Sequence, residues 1–294
     1  MRGGVALSSR FEITVDDRVL TAEVTGAPDG IPVFLLHGTP GSCAGPKPRS
    51  SVLYRQGVRL ICYDRPGYGG STRMPGRHVA DAAHDVEAVA DGMGLDGFCV
   101  VGRSGGGPHA LACAALLPDR VARAAVLVGL APANAAGLDW YEGMSAENAR
   151  NHAEAEQGDA ELMREMTALA VRTAADPESL IEELRTQAAE PDLRFMQSVM
   201  YRRLLSASYA EALRVGPYGW IDDILAFRGD WGFALDHIMP PVRLWHGADD
   251  TFSPASHSRW LAERIPRAEV HVQYGAAHFA AVEVLPRILS WLTA

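Results

Sequence analysis

The sequence predicts an α/β protein: a mostly parallel central sheet with flanking helices, interrupted by an inserted helical cap. Three observations carry this expectation. Short continuous apolar runs, the mark of strands buried on both faces, alternate with segments of helical period. Most of these runs end in a glycine-rich turn holding a polar residue. Over residues 132–234 the alternation stops and Ala, Glu, Arg, Met and Leu dominate without a strand-like run, so the core is expected in two parts, 1–131 and 235–294.

Residues 11–15 and 19–24 alternate apolar and polar side chains around Asp16-Asp17, which predicts an opening hairpin. Buried strands follow at 31–36 and 58–63, ending in His37-Gly38-Thr39-Pro40-Gly41 and in Asp64-Arg65-Pro66-Gly67-Tyr68-Gly69-Gly70-Ser71. The spacing of Val79, Val86, Val89 and Met93 predicts a helix over 79–93, closed by Gly94. A strand at 98–101 leads into Gly102-Arg103-Ser104-Gly105-Gly106 and then into a helix reaching about residue 117. After a strand at 124–130, helical runs are expected near 146–157, 160–174, 177–190 and 193–213. The rhythm resumes with a strand at 242–245, a helix at 256–264, a strand at 269–273 and a last helix ending near 292.

With 294 residues and 48% hydrophobic content, the chain can bury one large core. Its net charge of −9 argues against nucleic acid, which needs a basic face. No apolar run approaches the roughly 18–20 residues that span a bilayer, and residues 1–10 lack the apolar centre of a signal peptide. The expectation is a soluble, cytoplasmic protein that meets a small molecule and no membrane. Cys43, Cys62, Cys99 and Cys113 lack paired metal-ligand spacing, so free thiols are expected and neither metal nor cofactor. Lys47 is the single lysine, which leaves Schiff-base chemistry resting on one loop residue.

Gly102-Arg103-Ser104-Gly105-Gly106 has the G-x-S-x-G form of a nucleophile elbow, in which glycines permit a strained turn that exposes the serine. A glycine-rich turn with a spectator serine is the bland alternative, and context decides. In an open parallel sheet, ligands gather beyond the carboxyl ends of the strands. A serine, an aspartate and a histidine at three such ends would meet despite their distance in sequence, and serine needs a base and an orienting acid to attack.

The five turns at His37, Asp64, Ser104, Asp250 and His278, in the order Ser104, Asp250, His278, resemble the α/β-hydrolase fold family over nearly the whole chain. The resemblance implies Ser104 as nucleophile, His278 as base and then acid, and the backbone N–H groups of Thr39 and Gly105 as oxyanion donors. For the acid it selects Asp250, three residues after Gly247, and leaves adjacent Asp249 as a turn former. His109 is expected to pack, and His37 and His246 to hold turns. Arg103 departs from the aromatic, Asn or His found beside the nucleophile in many relatives. It either recognises a carboxylate or carbonyl in the substrate pocket or pairs with an acidic residue behind the elbow, the second being preferred.

A serine nucleophile sets the chain apart from the epoxide hydrolases and dehalogenases of this fold, which use aspartate. A carboxylesterase or lactonase is the default expectation. Proline iminopeptidase-like activity, with Glu142 or Glu147 binding an amine, and hydrolysis of a β-diketone-type C–C bond are alternatives. A non-catalytic ligand receptor ranks last. Trp140, Tyr141, Tyr201, Tyr209, Tyr218, Trp220 and Trp231 could line a pocket, although aromatic residues in helices usually pack in the core.

Overall fold

The computed structural model describes residues 9–156 and 160–294. The stretch read as lacking a signal peptide falls largely in residues 1–8, outside the described residues, as does the expected helix end at residue 157. β1 (Ser9–Val15) and β2 (Arg18–Gly26) form the hairpin, with Val15 opposite Arg18 and Asp16 at φ +54°. Asp tolerates this left-handed turn because its short polar side chain bonds locally. β2 lies antiparallel to β4 (Val58–Tyr63). From β4 onward the sheet is parallel through β3 (Ile31–Leu36), β5 (Phe98–Arg103), β6 (Val121–Leu127), β7 (Val242–Gly247) and β8 (Ala268–Gln273).

The order β1-β2-β4-β3-β5-β6-β7-β8 gives eight strands and a mostly parallel sheet with helices on both faces, as expected. Strand β4 is laid to one side of β3 and β5 to the other. The direction of winding therefore reverses between β3 and β5, and a crevice opens where a parallel sheet of this kind binds ligands. The loops after β3 and β5 carry Thr39 and Ser104.

Successive residues of the central strands point to opposite faces. Val33, Leu35, Leu60, Cys62, Cys99 and Val101 join one apolar cluster, and Phe34, Leu36, Ile61, Tyr63, Phe98 and Val100 join the other. Helices α1 (Ser50–Arg55), α2 (Asp81–Gly92) and α3 (Gly106–Leu116) connect the first strands. Between β6 and β7 run α4 (Ala146–Glu156), α5 (Ala160–Ala175), α6 (Pro177–Gln187), α7 (Glu190–Gln197), α8 (Val199–Ala212) and α9 (Tyr218–Arg228). After β7 come α10 (Ala255–Ala262) and α11 (Ala281–Leu292). Among the described residues no helix is long and apolar enough to cross a membrane.

Three local expectations are corrected. The helix expected over 193–213 is two helices, because Ser198 is extended and its Oγ caps α8 by accepting from Tyr201 N at 3.4 Å. Helix α9 was not among the helical runs expected: Gly216, Pro217 and Gly219 at its start are poor helix formers, and burial on nearly every side removes the amphipathic period. Strand β6 starts three residues early, at Val121, and ends at Leu127.

Candidate active site

Strand β5 delivers Ser104 and α3 leaves from it. Ser104 sits at φ +52°, a left-handed conformation that costs a non-glycine residue about 1–3 kcal/mol. Its neighbours hold it there: Ser104 N donates to Leu127 O at 2.8 Å and Gly107 N donates to Ser104 O at 2.8 Å. A Cβ on Gly102 would lie 2.1 Å from Gly106 O, and one on Gly106 would lie 2.2 Å from Leu36 O. Both glycines are therefore required by close backbone approach.

Asp250, after β7, is buried, and His278 follows β8 in a one-turn 3₁₀ helix. His278 Nδ1 donates to Asp250 Oδ2 at 2.8 Å. The other carboxylate oxygen of Asp250 accepts from Phe252 N at 2.8 Å and Ser253 N at 3.0 Å, which fixes the side chain. Asp249 is exposed and its side chain takes no part. Burial would raise the Asp250 pKa, but His278 and His246 outweigh it and hold the carboxyl well below the usual range. Burial disfavours a charged His278, yet Asp250 and then Asp192 overcome that, so the imidazole lies above the ordinary histidine value.

Asp192, on α7, was not singled out in the sequence. It is fully buried and accepts from His278 N and Phe279 N, each at 2.9 Å, so an inserted helix anchors the histidine loop. Burial pushes its pKa up to about 6, although His278 and the two amides oppose the rise. Nothing in Glu190-Pro191-Asp192 distinguishes it from a surface acid.

Asp223, on α9, was also missed. Its Oδ2 accepts from Thr39 Oγ1 at 2.5 Å, Arg65 Nη2 at 2.5 Å and Tyr68 OH at 2.9 Å, and Arg77 Nη2 lies 2.7 Å from Oδ1. Burial would raise this carboxyl, but Arg65 and Arg77 hold it well below its ordinary value. Arg65 also donates to His37 O and Gly38 O at 2.5 and 3.2 Å. The turn at Asp64, given no chemistry from the sequence, thus braces the Thr39 loop.

The backbone N–H groups of Thr39 and Gly105 donate to no described residue, and a Cβ on Gly105 would meet Thr39 Oγ1 at 2.2 Å. Ser104, His278, Thr39, Gly105 and Arg103 line one cavity of about 170 Å³. Among the described residues Ser104 Oγ makes no hydrogen bond to His278; such contacts tighten when substrate binds. Leu130, Met166, Leu169, Leu180, Leu205 and Ile224 make much of the wall apolar.

Tyr201, Tyr209 and Trp220 line this cavity, whereas Trp140, Tyr141 and Trp231 pack in the core and Tyr218 stacks on Arg73 at 4.2 Å. Neither Glu142 nor Glu147 reaches the cavity; among the described residues the carboxylate in its wall is Glu183. His109 is buried with Nδ1 on Gly105 O at 2.8 Å, His37 Nδ1 contacts Gly38 O at 2.8 Å, and His246 Nδ1 contacts Ser258 Oγ at 2.7 Å. The preferred expectation for Arg103 is corrected: among the described residues it has no acidic partner, and Nη1 donates only to Pro46 O at 3.4 Å. The carboxylates near the elbow are already taken, Asp64 by Cys43 and Asp223 by two other arginines. All four cysteines are buried free thiols, and no described cluster of His, Cys, Asp and Glu is placed to hold a metal ion.

The family model for the α/β-hydrolase fold matches residues 31–283, and the chain belongs to that family. It is an α/β-hydrolase whose relatives catalyse several reactions. It is 28% identical over 260 residues to the 2-hydroxymuconate semialdehyde hydrolase of Pseudomonas putida, covering 87% of this chain and 83% of the relative. It is 29% identical over 301 residues to the proline iminopeptidase of Neisseria gonorrhoeae, covering 91% and 93%. A thermophilic esterase from Thermogutta terrifontis shares the fold, with a TM-score of 0.66 at 22% identity over 97% of this chain and 96% of that one.

Proposed function

We propose that the protein is a serine hydrolase that cleaves a carboxylic ester or lactone of a small to medium, partly apolar molecule through an acyl-enzyme on Ser104. The observation that carries this reading is the 2.8 Å Asp250–His278 contact opening on the cavity that Ser104 also lines. His278 Nε2 takes the Ser104 proton as Oγ bonds to the carbonyl carbon. The carbonyl electron pair becomes an oxyanion between the Thr39 and Gly105 N–H groups, a contact typically worth about 10²–10³ in rate per donor. Collapse re-forms the carbonyl and breaks the bond to the leaving oxygen, which takes the proton from His278. Water then repeats the sequence on the acyl group, releasing the acid and restoring Ser104.

Residues 132–234 act in this reading as a cap over the carboxyl edge of the sheet, and they choose the substrate. The four buried free thiols fit a reducing compartment, so we assign the enzyme to the cytoplasm. Two further reactions use the same residues. Iminopeptidase activity is favoured by Glu183, a cavity carboxylate available to a substrate amine, and C–C cleavage by the likeness to the semialdehyde hydrolase. Fluorophosphonate should label the protein at Ser104 and not label Ser104→Ala. Rates on p-nitrophenyl butyrate, proline p-nitroanilide and a vinylogous diketone then rank the reactions, the ester being fastest. A wild-type protein that neither labels nor hydrolyses short p-nitrophenyl esters would overturn the proposal.

A further inference from the structure

Arg103 lines the cavity beside Ser104 with no acidic partner among the described residues, and its guanidinium reaches toward Pro46 O, where it also borders a second, small cavity beside Gly45 and Cys62. A guanidinium has five N–H donors, and the long contact to Pro46 O occupies one. In the same cavity wall, α8 presents Tyr201, Leu205, Ser208 and Tyr209 at the spacing of a single helix face. Neither phenol hydroxyl donates to a described residue, although both rings are buried at 6% and 5% exposure. Burial raises both phenol pKa values and Arg103 works against that rise, as a cation within electrostatic reach of both rings does. Neither nearby carboxylate pairs with Arg103: Glu183 lies 3.5 Å from Arg172, and Asp192 accepts two backbone amides. An unpaired cation in a largely apolar cavity is costly unless a ligand supplies the counter-charge.

We propose that Arg103, with the hydroxyls of Tyr201 and Tyr209, forms a carboxylate subsite, and that the substrate is an ester whose acyl chain ends in a carboxylate. One guanidinium and two neutral donors match a single negative charge and the planar fork of a carboxylate. Arg103 adjoins the residue to which the acyl group becomes bonded, so the charged end belongs to the acyl part. The overall charge of −9 repels anions, and the preference therefore has to come from this local group. The inference rests on Ser104 being the nucleophile.

The test compares kcat/KM for p-nitrophenyl hexanoate with that for the mono-p-nitrophenyl esters of adipic and suberic acid. Wild-type enzyme should prefer one of the hemiesters. Arg103→Met should cut the hemiester-to-hexanoate ratio by about 10- to 100-fold, Arg103→Lys by less, and Tyr201→Phe/Tyr209→Phe by a few-fold. A ratio unchanged in Arg103→Met would overturn the subsite while leaving ester hydrolysis standing. Calorimetry separates the two proposals: Ser104→Ala should bind monomethyl adipate more tightly than dimethyl adipate, and Ser104→Ala/Arg103→Met should lose that difference. Equal binding of both ligands by Ser104→Ala would also overturn the subsite. Arg103-dependent binding without turnover of any ester would instead sink the hydrolase reading.

Discussion

At the scale of single residues, the adjacent pair Asp249-Asp250 shows how one backbone turn assigns chemistry. The turn after β7 directs Asp250 inward, where two amides hold one oxygen and leave the other for His278, while Asp249 faces solvent. Asp250→Asn should lower kcat by about 10⁴-fold, because an amide no longer fixes the imidazole tautomer or offsets its charge. Asp249→Asn should change kcat by no more than a few-fold. Steady-state rates on one p-nitrophenyl ester decide this, and a larger loss from Asp249→Asn would move the acid. Arg103 was legible as an anomaly beside Ser104, but whether a carboxylate stood behind it depended on side chains far away in sequence.

At the scale of elements, the helices between β6 and β7 reach past the cavity to the loops that carry His278 and Thr39. Helix α7 holds the His278 loop through Asp192, and α9 holds the Thr39 loop through Asp223. Asp223 is fully buried between Arg65 and Arg77, so Asp223→Ala leaves two buried cations uncompensated. The expected loss is about 3–5 kcal/mol in urea unfolding, accompanied by slower fluorophosphonate labelling as the Thr39 loop loosens. Unfolding within about 1 kcal/mol of wild type would show that the network holds little. Helices α4 to α6 were legible from their composition. Helix α9 was not, since its ring of buried residues has no polar face to reveal a period.

At the scale of the whole molecule, charge is arranged unevenly: carboxylates flank His278 while a cation lines the cavity wall near Ser104. As the proposed base, His278 has to be neutral to accept a serine proton, and although burial lowers its pKa, Asp250 and Asp192 bring it above the ordinary value of about 6.5. The acid limb of kcat/KM should therefore lie above pH ~6.5, with activity lost as pH falls through it. Asp192→Asn removes a negative charge, makes the imidazolium easier to deprotonate and shifts that limb to lower pH. A merely structural Asp192 would lower kcat at every pH and leave the limb in place, and a pH profile separates the two.

The sequence by itself determined the sheet, the elbow and the order of Ser104, Asp250 and His278. These depend on short-range physics: apolar runs for strands buried on both faces, and glycines where backbones nearly touch. Tertiary structure alone decided that α9 exists, that Asp192 and Asp223 serve the loops at His278 and Thr39, that Glu183 rather than Glu142 or Glu147 reaches the cavity, and that Arg103 has no acidic partner. A carboxylate or guanidinium reads the same in sequence whether it faces water or a buried partner. Its meaning comes from which distant groups desolvate and pair with it, and only the folded chain brings those together.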